Sequence, residues 1–474
     1  MLIMNNNIGT EMIYRSAIVQ SAFLVFLVVA SVSHATPLSD EKTKTLSEAV
    51  LFGPPEAKDD ALRKLVARGS RDVVATLILS VRYRRDDAAI LGALNTLTGA
   101  ALGSWHDAML WQEAHPEVKP HTSFRALKIE IFSRIDPDFT RFLVGVRSWP
   151  EFMHIRLEEI TWGGVVVDGI PSLDNPKLIA AGEATYLMDD DLVFGVAING
   201  DVRAYPLRIM GWHEMFNETI GGVPVALAYC TLCGAGILFE TLVEGRDKPF
   251  VFGSSGFLYR SNKLMFDRET DSLWNQFTGK PVAGPLYDSD IELKMRPVAI
   301  TSWAKWQAKH PNTRVLSLDT GHRRDYGPGV VYSDYFSSPD LMFPTIVRDE
   351  SRVQRKDQVF GIRGLGAAKA WPLTAFQGGA VINDAVGERT VVLLGDAATR
   401  TVRAYDRQGI RFEATDDDTS LAGPGGVWRV EESHLTGPDG QKMPRVAGHV
   451  SYWFAWDGYL GVESALYSEK NARE

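Results

Sequence analysis

Two stretches of this chain are versions of one another. Set 166 positions apart without a gap, Val193–Leu227 and Val359–Leu393 agree at 11 of 35 positions. The correspondence resumes with Trp274 against Trp428, Gly284-Pro285 against Gly437-Pro438, and Trp303-x-x-Trp306 against Trp453-x-x-Trp456. A repeat of this length constrains the fold strongly, because one unit must form twice and each copy must bury a similar apolar face. The spacing predicts two copies of one β-rich unit, about 190–310 and 355–462, packed as a pseudo-symmetric pair. Residues shared by both copies, such as Gly195, Pro206, Asn217 and Gly221, are read as serving the fold. Residues present in one copy only are candidates for function.

The local pattern supports β structure after Trp149-Pro150. Short apolar runs are separated by Gly, Pro, Asn and Asp, and Asn199-Gly200 and Gly221-Gly222 are hairpin signals between such runs. Before that point the periodicity is helical. Ala61-Leu62, Leu65-Val66, Val73-Val74, Leu77-Ile78 and Val81 recur at three- and four-residue intervals, with Gly69 and Gly99 as breaks. The predicted class is therefore α+β: a helical region over 39–150 with HEAT-like helix pairs, then a mostly antiparallel β-rich part, its first repeat within 151–310 and its second over 355–462. Trp105, His106, Trp111, His115 and His121 are read as packing and surface residues, since their spacing is irregular and no Cys lies near.

The 474 residues are 45% hydrophobic, enough to bury a sizeable core, and the formal net charge of -9 comes without a long basic run. Phosphate recognition needs a concentrated cationic face, so no nucleic-acid partner is expected. The apolar run Ala17–Val32 after Arg15, followed by Ser33-His34-Ala35, reads as a secretory signal cleaved after Ala35, with Met12 as an alternative start. The run is shorter than a spanning helix requires, and no membrane span is expected after cleavage. These features predict a periplasmic or secreted protein.

The chain has two cysteines, Cys230 and Cys233, and both lie in the first copy, where the second has Asp396 and Thr399. Trp212-His213-Glu214 is likewise confined to the first copy, against Gly378-Gly379-Ala380 in the second. The first copy also has a connection about a dozen residues longer before its tryptophan, within Gly253–Asn262. These differences predict an active first copy and a degenerate second. Val223–Tyr229 and Ile237–Phe239 read as strands, so the thiols should lie at a strand-to-strand corner rather than at a helix N-terminus. A lowered thiol pKa would then have to come from neighbouring side chains. His213 is the first candidate, with Arg208 or Arg260 behind it and Glu214 orienting the imidazole. Ser255, Tyr259, Arg260 and Asn262 are the candidate ligand-binding residues of the extra segment.

The stretches RLEEITWGGVVVDGIPSLDNP, AYPLRIMGWHEMFNETIGGVPVALAYCTLCGAGILFE and FGSSGFLYRSNKLMFDRETDSLWNQFTG resemble the bacterial domain-of-unknown-function family 3179. The likeness covers roughly Arg156–Trp306, with WHE, YCxLCG and MFDRxTxSLW in order, and is expected to extend through the second copy. The family brings no established reaction. Some relatives are regarded as selenoproteins at YCxLCG, which implies redox use of the pair; here both positions are Cys, and Thr231 replaces the Pro commonly seen after the first.

Three readings of the site stay open. One is thiol/disulfide redox chemistry with Cys230, Cys233, His213 and Glu214, acting on a protein or small-molecule partner. A second is soft-metal binding, copper rather than zinc, through Cys230, Cys233 and His213 with Met210, Met215 or Met265. The third is a binding or scaffold module in which the cysteines form a disulfide staple. His449, found only in the second copy, is read as a core or surface histidine that could also reach the cysteines.

Overall fold

The computed structural model describes residues 38–143 and 153–468. The apolar N-terminal run and the Ser33-His34-Ala35 site lie outside them. Among the described residues no helix is long and apolar enough to cross a membrane.

Six helices open the described chain: Asp40–Phe52, Pro55–Arg68, Val74–Tyr83, Ala88–Thr98, Trp105–Ala114 and Phe124–Ile135. Their ends follow from local chemistry. Ser39, Asp87 and Ser104 accept backbone N–H groups at three N-termini, and Gly69 and Gly99 end two helices with left-handed backbone, φ 71° and 73°. Trp105, Trp111 and His121 are buried and His115 stacks on Trp111, so this aromatic group is packing. The helices share one core with the β part. Phe132, Phe139 and Phe142 pack on Phe257 and Phe266 of the sheet that holds the extra segment.

The rest is mostly antiparallel β, so the molecule is an α+β protein. Leu192–Ile198 and Asp201–Pro206 form a hairpin closed by Asn199 and Gly200, both at positive φ. Ala299–Ser302 flanks it antiparallel, followed by a helix from Trp303 to Lys309 and by Arg314–Leu316 parallel to the second hairpin strand. Further along, Gln358–Ile362 and Ala368–Pro372 form a hairpin. His449–Tyr452 flanks it antiparallel, followed by a helix from Trp453 to Leu460 and by Ser464–Leu466 parallel to the second hairpin strand.

Side-chain details recur with the backbone. A Cβ on Gly195 would fall 2.3 Å from the Trp306 ring, and one on Gly361 would fall 1.9 Å from Trp456. Asn217 exchanges two hydrogen bonds with the Phe252 backbone, and Asn383 does the same with Phe412. Phe252 meets Trp274 edge-on at 5.3 Å, and Phe412 meets Trp428 edge-on at 5.2 Å.

Each hairpin leads into a second set of strands. Met215–Ile220, Val223–Cys230 and Ala235–Glu240 form an antiparallel meander. Ala380–Val386, Arg389–Asp396 and Thr401–Asp406 form another. The extra segment lies in the hairpin Phe252–Tyr259 and Asn262–Asp267, turned by Arg260 and Ser261 with φ 48° and 66°. Every residue of both strands is buried, and Phe257, Tyr259, Leu264 and Phe266 pack into the helical core.

Candidate thiol site

Cys230 ends one strand of the first meander and Cys233 lies in the turn before the next, so the thiols sit at a corner between strands. No helix follows them. The turn is tight: the Cys233 N–H donates to the Cys230 carbonyl at 3.1 Å and the Gly234 N–H to Thr231 at 3.2 Å. Gln276 braces it from beneath by donating to the carbonyls of Ala228 and Ala235, one on each strand.

Both cysteines are free thiols, with their Sγ atoms 2.6 Å apart and exposures of 2% and 0%. The Asn262 amide donates to Cys233 Sγ at 3.2 Å and to Gln276 Oε1 at 2.9 Å, and the Ser261 carbonyl lies 3.5 Å from the same sulfur. Burial, and after it the adjoining Cys230, push the Cys233 thiol well above its ordinary pKa; the Asn262 hydrogen bond opposes them.

Glu214 and His213 point to different environments, although they are neighbours in sequence. Glu214 follows the helix Leu207–His213 with left-handed backbone, φ 54°. Its carboxylate accepts the Thr231 hydroxyl at 2.6 Å and the Lys263 ammonium at 3.1 Å, in a buried ion pair beside the thiol turn. His213 instead bonds the Pro171 carbonyl at 2.9 Å and the Tyr326 hydroxyl at 2.6 Å. Burial lowers its pKa to about 4, so the ring is neutral at pH 7. The expected arrangement, with Glu214 orienting His213 toward the sulfurs, is not the one observed: both imidazole nitrogens are engaged elsewhere.

The other sequence candidates divide similarly. Of the proposed ligand-binding set, only Asn262 reaches a sulfur. Ser255 Oγ donates to the Leu264 carbonyl, Tyr259 is buried with its carbonyl accepting from Tyr459, and Arg260 is held by Glu159. Arg208 is paired with Asp191. His449 is a core residue, edge-on to Phe277 at 4.8 Å. Met210, Met215 and Met265 are wholly buried. Among the described residues no group of three or more His, Cys, Asp and Glu side chains is placed to hold a metal ion. The set Cys230, Cys233 and His213 is thus not assembled.

The sequence reading missed Lys263, Gln276 and a strap between the two β units. Tyr326 of that strap bonds His213, Tyr332 faces Glu214 at 3.5 Å, and Tyr335 donates to the Leu232 carbonyl at 2.7 Å. Lys356 lies 3.7 Å over the Tyr335 ring and holds its carbonyl. The signal available was the tyrosine-rich run from Tyr326 to Tyr335, which has no counterpart in the repeat comparison.

Fold and site together define an α+β protein with a buried dithiol at a β corner. The chain belongs to the family described as protein of unknown function (DUF3179), whose model matches residues 167–462. No curated protein and no solved structure matches the chain.

Proposed function

We propose that this is an exported thiol–disulfide exchange protein, built from two copies of one β-rich unit of which the first carries the chemistry. The observation that carries the reading is the pair of cysteines brought within bonding reach of one another across one tight turn, with the Asn262 amide donating to the Cys233 sulfur. Duplication draws support from the matching strand orders, the matched Gly–Trp contacts and the matched asparagine bridges. Export draws on the apolar run before Ser33.

In the proposed step Cys230, as thiolate, attacks a disulfide of a partner and releases one partner thiolate. Cys233 then loses its proton to solvent and attacks Cys230 Sγ, and the partner leaves as a second thiolate. The partner gains two electrons and the Cys230–Cys233 bond forms. Cys230 is assigned the attack because burial and the adjoining Cys230 hold the Cys233 thiol protonated. Tyr332 and Tyr335 are fastened to Glu214 and to the Leu232 carbonyl of the thiol turn, and exchange at these buried sulfurs requires that they move aside.

A trapping experiment tests this. Cys233→Ser should accumulate a mixed disulfide at Cys230 with a disulfide reagent, seen by mass spectrometry, whereas the wild type should pass to an internal disulfide. A wild-type pair that never leaves the dithiol state across a range of thiol/disulfide ratios would sink the proposal.

A further inference from the structure

A cavity of about 300 Å³ opens beside the thiol turn. Tyr229 and Gly234, which bracket Cys230 and Cys233, form one wall; the rings of Tyr452 and Phe336 form others. Two arginines line it, as do the carboxylates of Asp190 and Asp191. Arg208 is neutralised by Asp191, although its Nε is buried without a partner. Arg400 is different: among the described residues its guanidinium has no hydrogen bond or ion pair, and its charge acts on the phenols of Tyr229 and Tyr452. Its backbone is left-handed, φ 54°, in the turn position where the first meander has Gly234 at φ 60°. A side chain costs more than glycine there, so the position favours glycine unless the side chain contributes something.

We propose that this cavity binds a small organic anion with a flat apolar body, its carboxylate held by Arg400 and its body between the aromatic walls. An unpaired guanidinium in a concave site is suited to a planar oxyanion, and the tyrosine and phenylalanine faces suit a ring. Its role rests on the thiol-exchange reading: the bound anion is the disulfide substrate, held against Tyr229 and Gly234, one residue from each cysteine, with neither cysteine itself in the cavity wall. The second β unit, which lacks cysteines, thereby supplies the substrate-binding cation to the first.

Two measurements separate the site from the chemistry. In the Cys230→Ser, Cys233→Ser variant, benzoate should bind saturably by calorimetry, and benzamide and acetate should bind more weakly. Arg400→Gln should weaken benzoate about tenfold, with Arg400→Lys recovering part of the loss. In the protein with its thiols, 5,5′-dithiobis(2-nitrobenzoate) should react faster than neutral 4,4′-dithiodipyridine, relative to free cysteine. Arg400→Gln should remove that preference. Benzoate binding that Arg400→Gln leaves unchanged, or that benzamide or acetate equals, overturns the site. Binding as expected, with thiols that react with neither disulfide, upholds the site and overturns the exchange reading.

Discussion

Asn262 and the Glu214–Lys263 pair determine the electrostatics around the thiols. The Asn262 amide favours the thiolate of Cys233, so Asn262→Ala should move the Cys233 titration further upward, read as a later onset in a pH profile of alkylation. The same change orphans Gln276 Oε1 and should cost about 1–3 kcal/mol in stability. Lys263→Met leaves the Glu214 carboxylate buried without its cation. It should cost about 3–5 kcal/mol by urea unfolding, and adding Glu214→Leu should recover much of that loss. Glu214 stood out in the sequence because the matching position 166 residues on is Ala380, but its partner Lys263 did not. Adjacent positions at a helix end face different ways, so sequence proximity to His213 was a poor guide to contact.

At the scale of elements, the two hairpin sheets depend on close glycine–indole packing. Gly361→Ala would put a methyl group into the buried Trp456 ring and should destabilise by about 1–3 kcal/mol or more in denaturant midpoints. Gly92→Ala, exposed in its helix with open space around it, should instead stabilise by up to about 1 kcal/mol. The contrast between the two identical substitutions checks that the effect is steric. The strap is held over the thiol turn by the Tyr335 hydroxyl and, further out, by Lys356. Tyr335→Phe removes the bond to the Leu232 carbonyl, and alkylation of the thiols by iodoacetamide should become several-fold faster with about 1 kcal/mol lost in stability. An unchanged alkylation rate would show that the strap does not limit access. The hairpins at Asn199-Gly200 and Gly221-Gly222 were readable because their turns need positive φ. The strap was not, because its irregular backbone has no period.

For the whole molecule, buried histidines contribute to the loss of stability in acid. Burial lowers His213 to about 4 and His449 to about 3, against an ordinary value of 6.5. As pH falls below about 6.5 the unfolded chain takes up protons that the folded one refuses. Stability is therefore full above that point and declines toward pH 4, by about 1.4 kcal/mol per pH unit for each histidine. Urea midpoints at pH 7.5 and 5.0 should show the decline, and His449→Phe should flatten it.

The sequence by itself determined the α+β class, the helix ends, the tight hairpin turns and the residues peculiar to one half of the chain. Each of these is written in local rules: periodicity, capping, backbone conformation and internal comparison. Tertiary structure alone decided which of those residues meet. Asn262 reaches the sulfur because a hairpin 30 or so residues downstream folds back under the turn, on the order of a 100 Å span if extended. Lys263 finds Glu214, and Arg400 comes to the thiol corner, only when separate sheets pack. Pairings over such separations are chosen by the burial of whole faces, which no local pattern records.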